Sequence, residues 1–259
     1  MKVLALDSSG LVASVAVVCD DRLLGEYTIN YKKTHSQTLL PMLQQVADMI
    51  ELDLQTVDAI AVAAGPGSFT GLRIGSATAK GMGLALGKPI IPVPTVDALA
   101  WNLWGSTHLI CPLMDARRSQ VYTGVYDFVK SDVDTPDGSA SFGDCLSECG
   151  DGWIFRKVLP ACAIGIDELI GRINELKRPV IFLGDGVPVY RERIEEQIGV
   201  AYSYAPPMSG LQRAASVGTL GILLYKEGYY EDAAAHRPDY LRPSQAEREF
   251  EGKQRDFRV

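Results

Sequence analysis

The stretch that most constrains this chain is Gly65-Pro-Gly-Ser-Phe-Thr-Gly-Leu-Arg-Ile-Gly75. It follows an apolar, β-like run at 58–64 and opens a helix-like run that reaches Gly87. Glycine and proline let the backbone turn sharply here, and the hydroxyl of Ser68 or Thr70 can cap the helix start. A strand, a Gly-rich turn and a helix start can together cradle phosphate, although the spacing matches neither common phosphate-loop motif. The alternative is a tight turn that leads into a buried helix.

The helix after this turn, about 71–87, is rich in small residues. At about 100° per residue, one ridge consists of Gly71, Gly75, Ala79, Gly83 and Gly87, and a second, on the far side, of Ala77, Gly81 and Ala85. Each interior glycine costs about 1 kcal/mol of helix propensity relative to alanine, so we expect close packing on more than one side. We assign the Gly75 ridge to a partner and the Gly81 ridge to the chain's own sheet, although the spacing also permits the reverse.

Composition and charge exclude several classes of function. The 259 residues are enough for one large or two modest domains. The 25 basic and 32 acidic residues give a net charge of −7, which argues against stand-alone binding to the phosphates of nucleic acid. Without a signal-like segment or a membrane-spanning apolar run, we expect a cytoplasmic protein, with no membrane contact, whose five cysteines are reduced. The spacing of Cys145 and Cys149 suits a metal, but no second pair of ligands accompanies it.

The first part of the chain, residues 1–104, predicts three antiparallel strands followed by alternating helices and strands. Rossmann proteins do not begin in this way, and parallel crossovers would place helices over a mixed sheet. The first helix, about 38–51, has an apolar stripe that consists of Leu39, Leu43, Val46 and Ile50. Pro41 either lies in the first turn of this helix or kinks it.

The pattern begins again in residues 105–209, which we expect to form a smaller, degenerate lobe. Residues 131–152 show no periodicity and predict a long irregular loop. An amphipathic helix at 210–228 is expected to return to the first lobe and complete it. The tail at 237–259 is expected to be mobile.

Five segments resemble the TsaB (YeaZ) family. They are Leu4-Ala-Leu-Asp-Ser-Ser9, His35-Ser-Gln-Thr-Leu-Leu-Pro-Met-Leu43, the 65–75 stretch, Asp115-Ala-Arg-Arg118 and Tyr240-Leu-Arg-Pro-Ser-Gln-Ala-Glu247. The resemblance covers nearly the whole chain and implies an α/β fold of the actin-like ATPase class (sugar kinase/Hsp70/actin, ribonuclease H-like), with two lobes of mixed sheets flanked by helices. It also implies a role in placing N6-threonylcarbamoyl on adenosine 37 of ANN-decoding tRNAs.

The resemblance also distinguishes a partner subunit from an enzyme. In TsaD, the catalytic subunit that TsaB proteins resemble and assist, the strand after the small-residue helix leads into V-N-H-x-E-G-H, whose two histidines suit one metal. The matching stretch here is Val93-Pro-Thr-Val-Asp-Ala-Leu99, so Thr95 and Leu99 stand where the histidines would be. We therefore expect no catalytic residues, no bound metal and a non-catalytic scaffold subunit of a tRNA threonylcarbamoyltransferase complex.

A vestigial nucleotide cleft is the remaining candidate for a cofactor site. Actin-like ATPases place an acidic residue near metal-bound phosphate at the end of strand one, where this chain has Asp7, Ser8 and Ser9. Gly184 and Asp185 follow a later strand and could face a nucleotide in the same cleft, so these five are the expected site residues. Weak ATP or ADP binding is left open, because Asp7 equally fits a turn-capping role and 184–186 equally fit a plain turn. A charged hairpin turn accounts for 115–118 better than an anion site does.

The resemblance implies three protein partners: a TsaD-like catalytic subunit, a TsaE-like ATPase in a larger complex, and a second copy of this chain when TsaD is missing. We expect tRNA to be bound only indirectly. The candidate partner interface consists of Leu39, Leu43, Val46, Ile50, Gly71, Gly75, Ala79, Met82 and Gly83.

Two alternative functions remain. An active ATP-dependent kinase-type enzyme of the same fold would be favoured by an intact phosphate-binding cleft. A free-standing peptidase would need a metal site or a nucleophile motif, and we find neither in the sequence. The three histidines, His35, His108 and His236, are scattered along the chain and fit surface or capping roles.

Overall fold

The computed structural model describes residues 1–31, 34–130, 145–146 and 152–241. Cys149, nearly all of the predicted 131–152 loop and residues 242–259 of the predicted mobile tail lie outside the described residues, so these predictions stay open. No helix within the described ranges is long and apolar enough to cross a membrane.

The first part of the chain folds around a five-stranded sheet. Its strands are β1 (Lys2–Asp7), β2 (Ala13–Cys19), β3 (Arg22–Ile29), β4 (Ala59–Gly65) and β5 (Ile90–Pro94). They lie in the order β3-β2-β1-β4-β5, with β1 to β3 antiparallel and with β4 and β5 parallel to β1. β1 and β4 are buried almost throughout, because helices cover both faces of the sheet.

Three helices belong to this part: α1 (His35–Met49), α2 (Phe69–Leu86) and α3 (Thr95–Trp101). α1 packs on β2 and α2 packs on β4. α1 begins earlier than the sequence predicted, so Pro41 lies inside the helix rather than in its first turn. The Gln37 carbonyl, which has no N–H partner at Pro41, belongs to an exposed residue. Water can therefore replace the missing hydrogen bond, which is why the helix continues through the proline.

The second part of the chain repeats this arrangement. Its elements are β6 (Leu109–Asp115), β7 (Gln120–Lys130), β8 (Cys145–Leu146), β9 (Trp153–Gly165), α4 (Ile166–Leu176), β10 (Val180–Leu183), α5 (Val187–Gln197), β11 (Tyr202–Tyr204) and α6 (Ala214–Lys226). The second sheet has the strand order β11-β10-β6-β7-β9-β8. Its strands β6, β7, β9, β10 and β11 correspond to β1, β2, β3, β4 and β5 of the first sheet, in the same spatial order and with the same relative directions. Two such units form the actin-like, ribonuclease H-like fold, so the predicted fold class is confirmed. The expectation of a degenerate second lobe overlooked β9, with which the second sheet reaches six strands in the described residues.

α3 and α6 lie in the core between the two sheets. α6 packs against β1, β2 and β5, so it returns to the first sheet. The shared core includes Ala61 of the first sheet and both Tyr126 and Phe155 of the second. Gly221 lets α6 approach closely, because a methyl group there would lie 2.9 Å from the Ala61 Cβ atom. The two sheets therefore pack around one core and hold the ends of their strands in fixed relation.

Candidate functional site in the cleft between the sheets

A cleft of about 560 Å³ opens where the turns after β1, β4, β6 and β10 face one another. Residues from these turns that line the cleft include Ser9, Gly67, Ser68, Asp115, Arg117 and Asp185. Ligands of open α/β sheets bind at the carboxyl ends of the strands. The cleft is therefore the candidate ligand site of this fold.

The turn after β1 and the Gly-rich turn after β4 are bonded to each other. The Ser68 N–H donates to the Ser9 carbonyl oxygen at 2.7 Å, and the Ser8 hydroxyl donates to the Gly71 carbonyl oxygen at 2.9 Å. The Ser9 hydroxyl donates to the Asp7 carboxylate at 2.6 Å. These three donors, which could otherwise bind a phosphate between the two turns, are all used within the chain.

The glycines of the 65–75 motif fit α2 against the β1 turn. A methyl group at Gly71 would collide with the Ser8 carbonyl oxygen, and one at Gly67 would collide with the Ser9 carbonyl oxygen. At Gly75 it would lie 2.6 Å from the Ser8 hydroxyl oxygen. The Ser68 hydroxyl accepts the Gly71 N–H at 3.3 Å and caps the helix, as the sequence predicted. The motif therefore serves as a tight turn into a buried helix, the alternative that the sequence had left open.

Asp7 caps the β1 turn and is 1% exposed. Its Oδ1 atom accepts the Ser9 N–H at 2.8 Å as well as the Ser9 hydroxyl. Burial raises the pKa of Asp7 to about 6, although the two bonds from Ser9 and the nearby His35 act in the opposite direction. The carboxyl group is thus held by the β1 turn.

The opposite wall of the cleft contains the hairpin turn between β6 and β7. The Asp115 carboxylate accepts the Arg117 N–H at 2.9 Å and the Tyr190 hydroxyl at 3.0 Å. The Arg117 side chain is 87% exposed, with its Nε atom 3.7 Å from Asp115. Residues 115–118 thus form the charged hairpin turn that the sequence analysis favoured, and Arg117 is a cationic group in the cleft lining.

The turn after β10 contributes Asp185 to the same wall. Gly184 has a φ of +107°, and a methyl group there would collide with the Leu113 carbonyl oxygen, so the close approach requires glycine. Within the described residues, the buried Oδ1 atom of Asp185 has no hydrogen-bond partner. Burial is the main cause that raises the pKa of Asp185, and the like charge of Asp115 adds to it. Residues 184–186 form a turn and Asp185 lines the cleft, so the choice between a plain turn and a nucleotide site stays open.

Thr95, Asp97 and Leu99, in the stretch compared with the TsaD histidines, are all buried in α3. The Thr95 hydroxyl accepts the Gly65 N–H at 3.2 Å, so it holds the Gly-rich turn and does not cap α3. Leu99 is 1% exposed and belongs to the core between the sheets. Asp97 accepts the Tyr126 hydroxyl at 2.7 Å and pairs with Lys157 at 2.8 Å, which ties α3 to the second sheet.

The predicted assignment of the two ridges on α2 is wrong. Gly71, Gly75, Ala79 and Gly83, which were assigned to a partner interface, are buried inside the chain. Gly83, for example, faces Ala233, because a methyl group there would lie 2.7 Å from the Ala233 Cβ atom. Gly81, which was assigned to the sheet, is exposed and would have no atom within 4 Å of an added methyl group. The sequence could not separate the ridges, because both consist of small residues.

The predicted interface residues of α1 are also internal. Leu39, Leu43 and Val46 are buried in the core that α1 and α2 form with the first sheet, so they are corrected to core residues. Ile50 and Met82 are partly buried against the same core. Other residues are exposed on the outward faces of the two helices. On α1 they are Leu40, which is 54% exposed, and Pro41; on α2 they are Ala77, Gly81 and Leu84, the last of which is 61% exposed.

Two of the three histidines have structural side-chain contacts. His35 Nε2 lies 2.9 Å from the Gly10 carbonyl oxygen, and His236 Nδ1 lies 2.6 Å from the Glu231 carboxylate, whereas His108 is exposed. In the part of the chain that the structure describes, no group of three His, Cys, Asp or Glu side chains could hold a metal.

Comparison with known families and proteins gives consistent matches. The model of the family described as "TsaD: tRNA N6-adenosine threonylcarbamoyltransferase" matches residues 22–250. The "tRNA threonylcarbamoyladenosine biosynthesis protein TsaB" of Bacillus subtilis is 30% identical over 247 residues, which cover 95% of this chain and 96% of that protein. The protein of the same name from Escherichia coli is 34% identical over 129 residues, which cover 49% of this chain and 55% of that protein.

Two solved structures from Pseudomonas aeruginosa have the same fold. One is described as an uncharacterized protein with similarity to peptidase YEAZ; it has a TM-score of 0.70 and 26% identity and covers 93% of this chain and 99% of that one. The other is described as YeaZ; it has a TM-score of 0.67 and 24% identity and covers 92% of this chain and 99% of that one.

Proposed function

This chain belongs to the TsaB (YeaZ) family, and from that premise we propose that it is a non-catalytic partner subunit of a TsaD-like transferase. The named relatives act in the biosynthesis of tRNA threonylcarbamoyladenosine, and this pathway is the one in which the chain takes part. The proposed complex also includes a TsaE-like ATPase, and tRNA contacts this chain only indirectly.

The observation that carries the proposal is the environment of positions 95 and 99. Leu99 is packed in the core and cannot bind a cation, and the Thr95 hydroxyl already accepts the Gly65 N–H. A metal-dependent transfer site of the TsaD kind needs two imidazoles at these positions. Here a core side chain and a structural hydroxyl stand in place of the imidazoles. This supports the proposal that the chain depends on a partner for the transfer step.

The hydrogen bonds between the turn after β1 and the Gly-rich turn favour a non-catalytic subunit over an active kinase. An ATP-dependent enzyme of this fold needs backbone and hydroxyl donors directed at the nucleotide phosphates. Here the Ser8 and Ser9 hydroxyls and the Ser68 N–H are bonded within the chain. Among the described residues of the cleft lining, the carboxylates of Asp115, Asp185 and Asp239 outnumber the single cation, Arg117, so the net charge of the lining disfavours phosphate.

We place the partner surface on the outward faces of α1 and α2. Gly81 and Ala77 are exposed on α2, next to the exposed Leu84, while Leu40 and Pro41 are exposed on α1. Small residues let the axis of a partner helix approach closely, and exposed leucines offer apolar area to cover. Without the TsaD-like subunit, a second copy of this chain would cover the same faces.

Substitution of Gly81 by leucine tests this surface. Nothing lies within 4 Å of the added Cβ position, so Gly81→Leu should not strain the free chain. Its melting temperature should stay the same or rise slightly, since glycine is a poor helix former. At a close helix–helix contact, overpacking costs about 1–3 kcal/mol, which lowers the affinity for the TsaD-like subunit by a factor of about 5 to about 150. Isothermal titration calorimetry with that purified subunit measures the change.

Gly75→Leu is the matched control on the opposite face of the same helix. Its side chain would enter the space held by the Ser8 hydroxyl, 2.6 Å from the new Cβ atom, so this variant should lose stability in thermal melts. A folded Gly81→Leu variant with unchanged affinity would exclude this face as the partner surface.

A further inference from the structure

The segment that follows α6 runs from the edge of the first sheet to the mouth of the cleft. Glu231 pairs with Ile90 of β5 through two backbone hydrogen bonds of 2.9 and 2.8 Å. The segment then passes along the side of α2, and Asp239, Tyr240 and Leu241 line the cleft. We call residues 231–236 its inner half and residues 237–241 its outer half.

The inner half is anchored in the fold. Ala233 is 5% exposed and packs against Gly83 of α2, and His236 is 1% exposed. The Lys80 ammonium group donates to the carbonyl oxygens of Ala234 and His236, both at 2.9 Å. Buried side chains and backbone pairing of this kind keep a segment closed until larger parts of a protein unfold.

The outer half lies on the surface. The Asp239 N–H donates to the Ala64 carbonyl oxygen at 2.7 Å, next to Gly65. The Tyr240 ring lies 5.0 Å from the Phe69 ring, and its hydroxyl accepts from Arg73 Nε at 3.3 Å. Tyr240 is 37% exposed and Leu241 is 40% exposed. The hydrogen bond between Arg73 and Tyr240 is exposed, and so are large parts of the Tyr240 and Leu241 side chains, which indicates a low free energy of local opening.

Arg73 is the residue through which α2 holds the outer half. Its guanidinium group lies over the Phe69 ring, 4.1 Å from the centroid, while its Nε atom donates to Tyr240. Phe69 and Arg73 are one helical turn apart, so the stacked pair forms a platform for the tyrosine ring. This contact also explains why the 65–75 motif contains an aromatic residue and an arginine that the buried face of α2 does not need.

The outer half closes one side of the cleft. Asp239 and Leu241 line it together with Ser9 and Ser68 of the first sheet and Asp185 of the second. Lifting residues 237–241 would remove this wall and leave the anchored inner half in place. From this arrangement we propose that residues 237–241 are a gate over the cleft, hinged after His236 and latched by the contact of Tyr240 with Arg73 and Phe69.

The latch is tested by hydrogen exchange on the whole chain. In the wild type, the Asp239 amide should exchange much faster than the Ile90 and Glu231 amides, because the gate opens without the inner half. Arg73→Ala removes a cation–π contact and a hydrogen bond, so exchange at Asp239 should rise about tenfold. Tyr240→Phe, which removes only the hydroxyl, should raise it by a smaller factor and provides the test if Arg73→Ala does not fold.

Access to the cleft is measured with a thiol at position 116. Ala116 lines the cleft and is partly buried, so Ala116→Cys places a small reporter inside it. A small thiol reagent modifies this cysteine, and peptide mass spectrometry follows the rate. When Arg73→Ala is added, the modification rate should increase by about the same factor as exchange at Asp239. Arg191→Ala is the control, because Arg191 lies 4.1 Å from the Tyr204 ring centroid in an equivalent stacked pair away from the gate.

Two results would overturn the proposal. One is Asp239 exchange that is as slow as that of Ile90 and Glu231, since no local opening would then exist. The other is faster Asp239 exchange in Arg73→Ala with an unchanged modification rate at position 116, since the segment would then move without controlling access. A rise in both rates in Arg191→Ala would likewise remove the role assigned to the latch.

Discussion

The buried pair of Asp97 and Lys157 joins the two halves of the molecule, so its removal has a large predicted effect. Asp97 belongs to α3, and its carboxylate accepts the Tyr126 hydroxyl of β7 at 2.7 Å and pairs with Lys157 of β9 at 2.8 Å. The carboxylate side chain is 3% exposed and the lysine side chain is 19% exposed. Asp97→Ala would leave a cation and a fully buried hydroxyl group without their acceptor.

The expected loss of stability follows from these burial values. Breaking a buried pair from one side costs about 3–5 kcal/mol, and the partial exposure of Lys157 places its share at the lower end. The Tyr126 hydroxyl, which is 0% exposed, adds about 1–3 kcal/mol because it would be unsatisfied. We therefore expect Asp97→Ala to reduce the free energy of unfolding by about 4 kcal/mol, measured by urea denaturation at neutral pH.

A second variant separates the pair from general damage to α3. The double variant Asp97→Asn with Lys157→Met keeps an oxygen acceptor for Tyr126 and removes both charges. It should recover most of the lost stability, because replacing both partners of a buried pair is often nearly neutral. A loss below about 1 kcal/mol in Asp97→Ala would refute the reasoning, as would a double variant no more stable than Asp97→Ala.

Two further predictions concern charge. The pKa of Asp7 is about 6 in the fold against 3.8 in the unfolded chain, so the folded state holds this proton more tightly and stability falls as the pH rises from about 4 to about 6. The stability of Asp7→Asn should therefore match that of the wild type near pH 3.5 and exceed it by about 3 kcal/mol at pH 7.5. An advantage in urea denaturation that does not depend on pH would contradict this. With a net charge of −7, the isolated chain should bind tRNA only non-specifically, with a Kd no tighter than about 10⁻⁶ M at physiological salt. Fluorescence anisotropy of labelled tRNA measures this Kd, and tight binding that is selective for one tRNA would contradict the indirect role.

Local sequence patterns predicted most of the fold. The order of three strands followed by alternating helices and strands is a property of hydrophobic periodicity and turn residues. The structure has that order in the first part and, with the additional short strand β8, again in the second. β9 was missed because its sequence, Trp153–Gly165, is mostly half-buried and contains Pro160. Its strand conformation depends on pairing along β7, which no local pattern reveals.

The site was less predictable, because its contacts join residues far apart in the chain. The choice between the two ridges of α2 depends on Ser8, more than sixty residues away, whose carbonyl and hydroxyl oxygens occupy the space next to Gly71 and Gly75. The contact of Tyr240 with Arg73 spans a separation of 167 residues. The sequence contained both motifs but no signal that they meet.

The proposed division of labour is tested most directly by reconstituted transfer of threonylcarbamoyl to tRNA from a supplied threonylcarbamoyl-adenylate donor. The assay compares this chain alone, the TsaD-like subunit with a TsaE-like ATPase and ATP, and all components together, with metal analysis of the purified chain. We expect no turnover and no stoichiometric transition metal for the chain alone, and strong stimulation when it joins the other components. Transfer or ATP hydrolysis at enzyme-like rates by the chain alone, or one tightly bound zinc or iron per chain, would contradict a non-catalytic subunit.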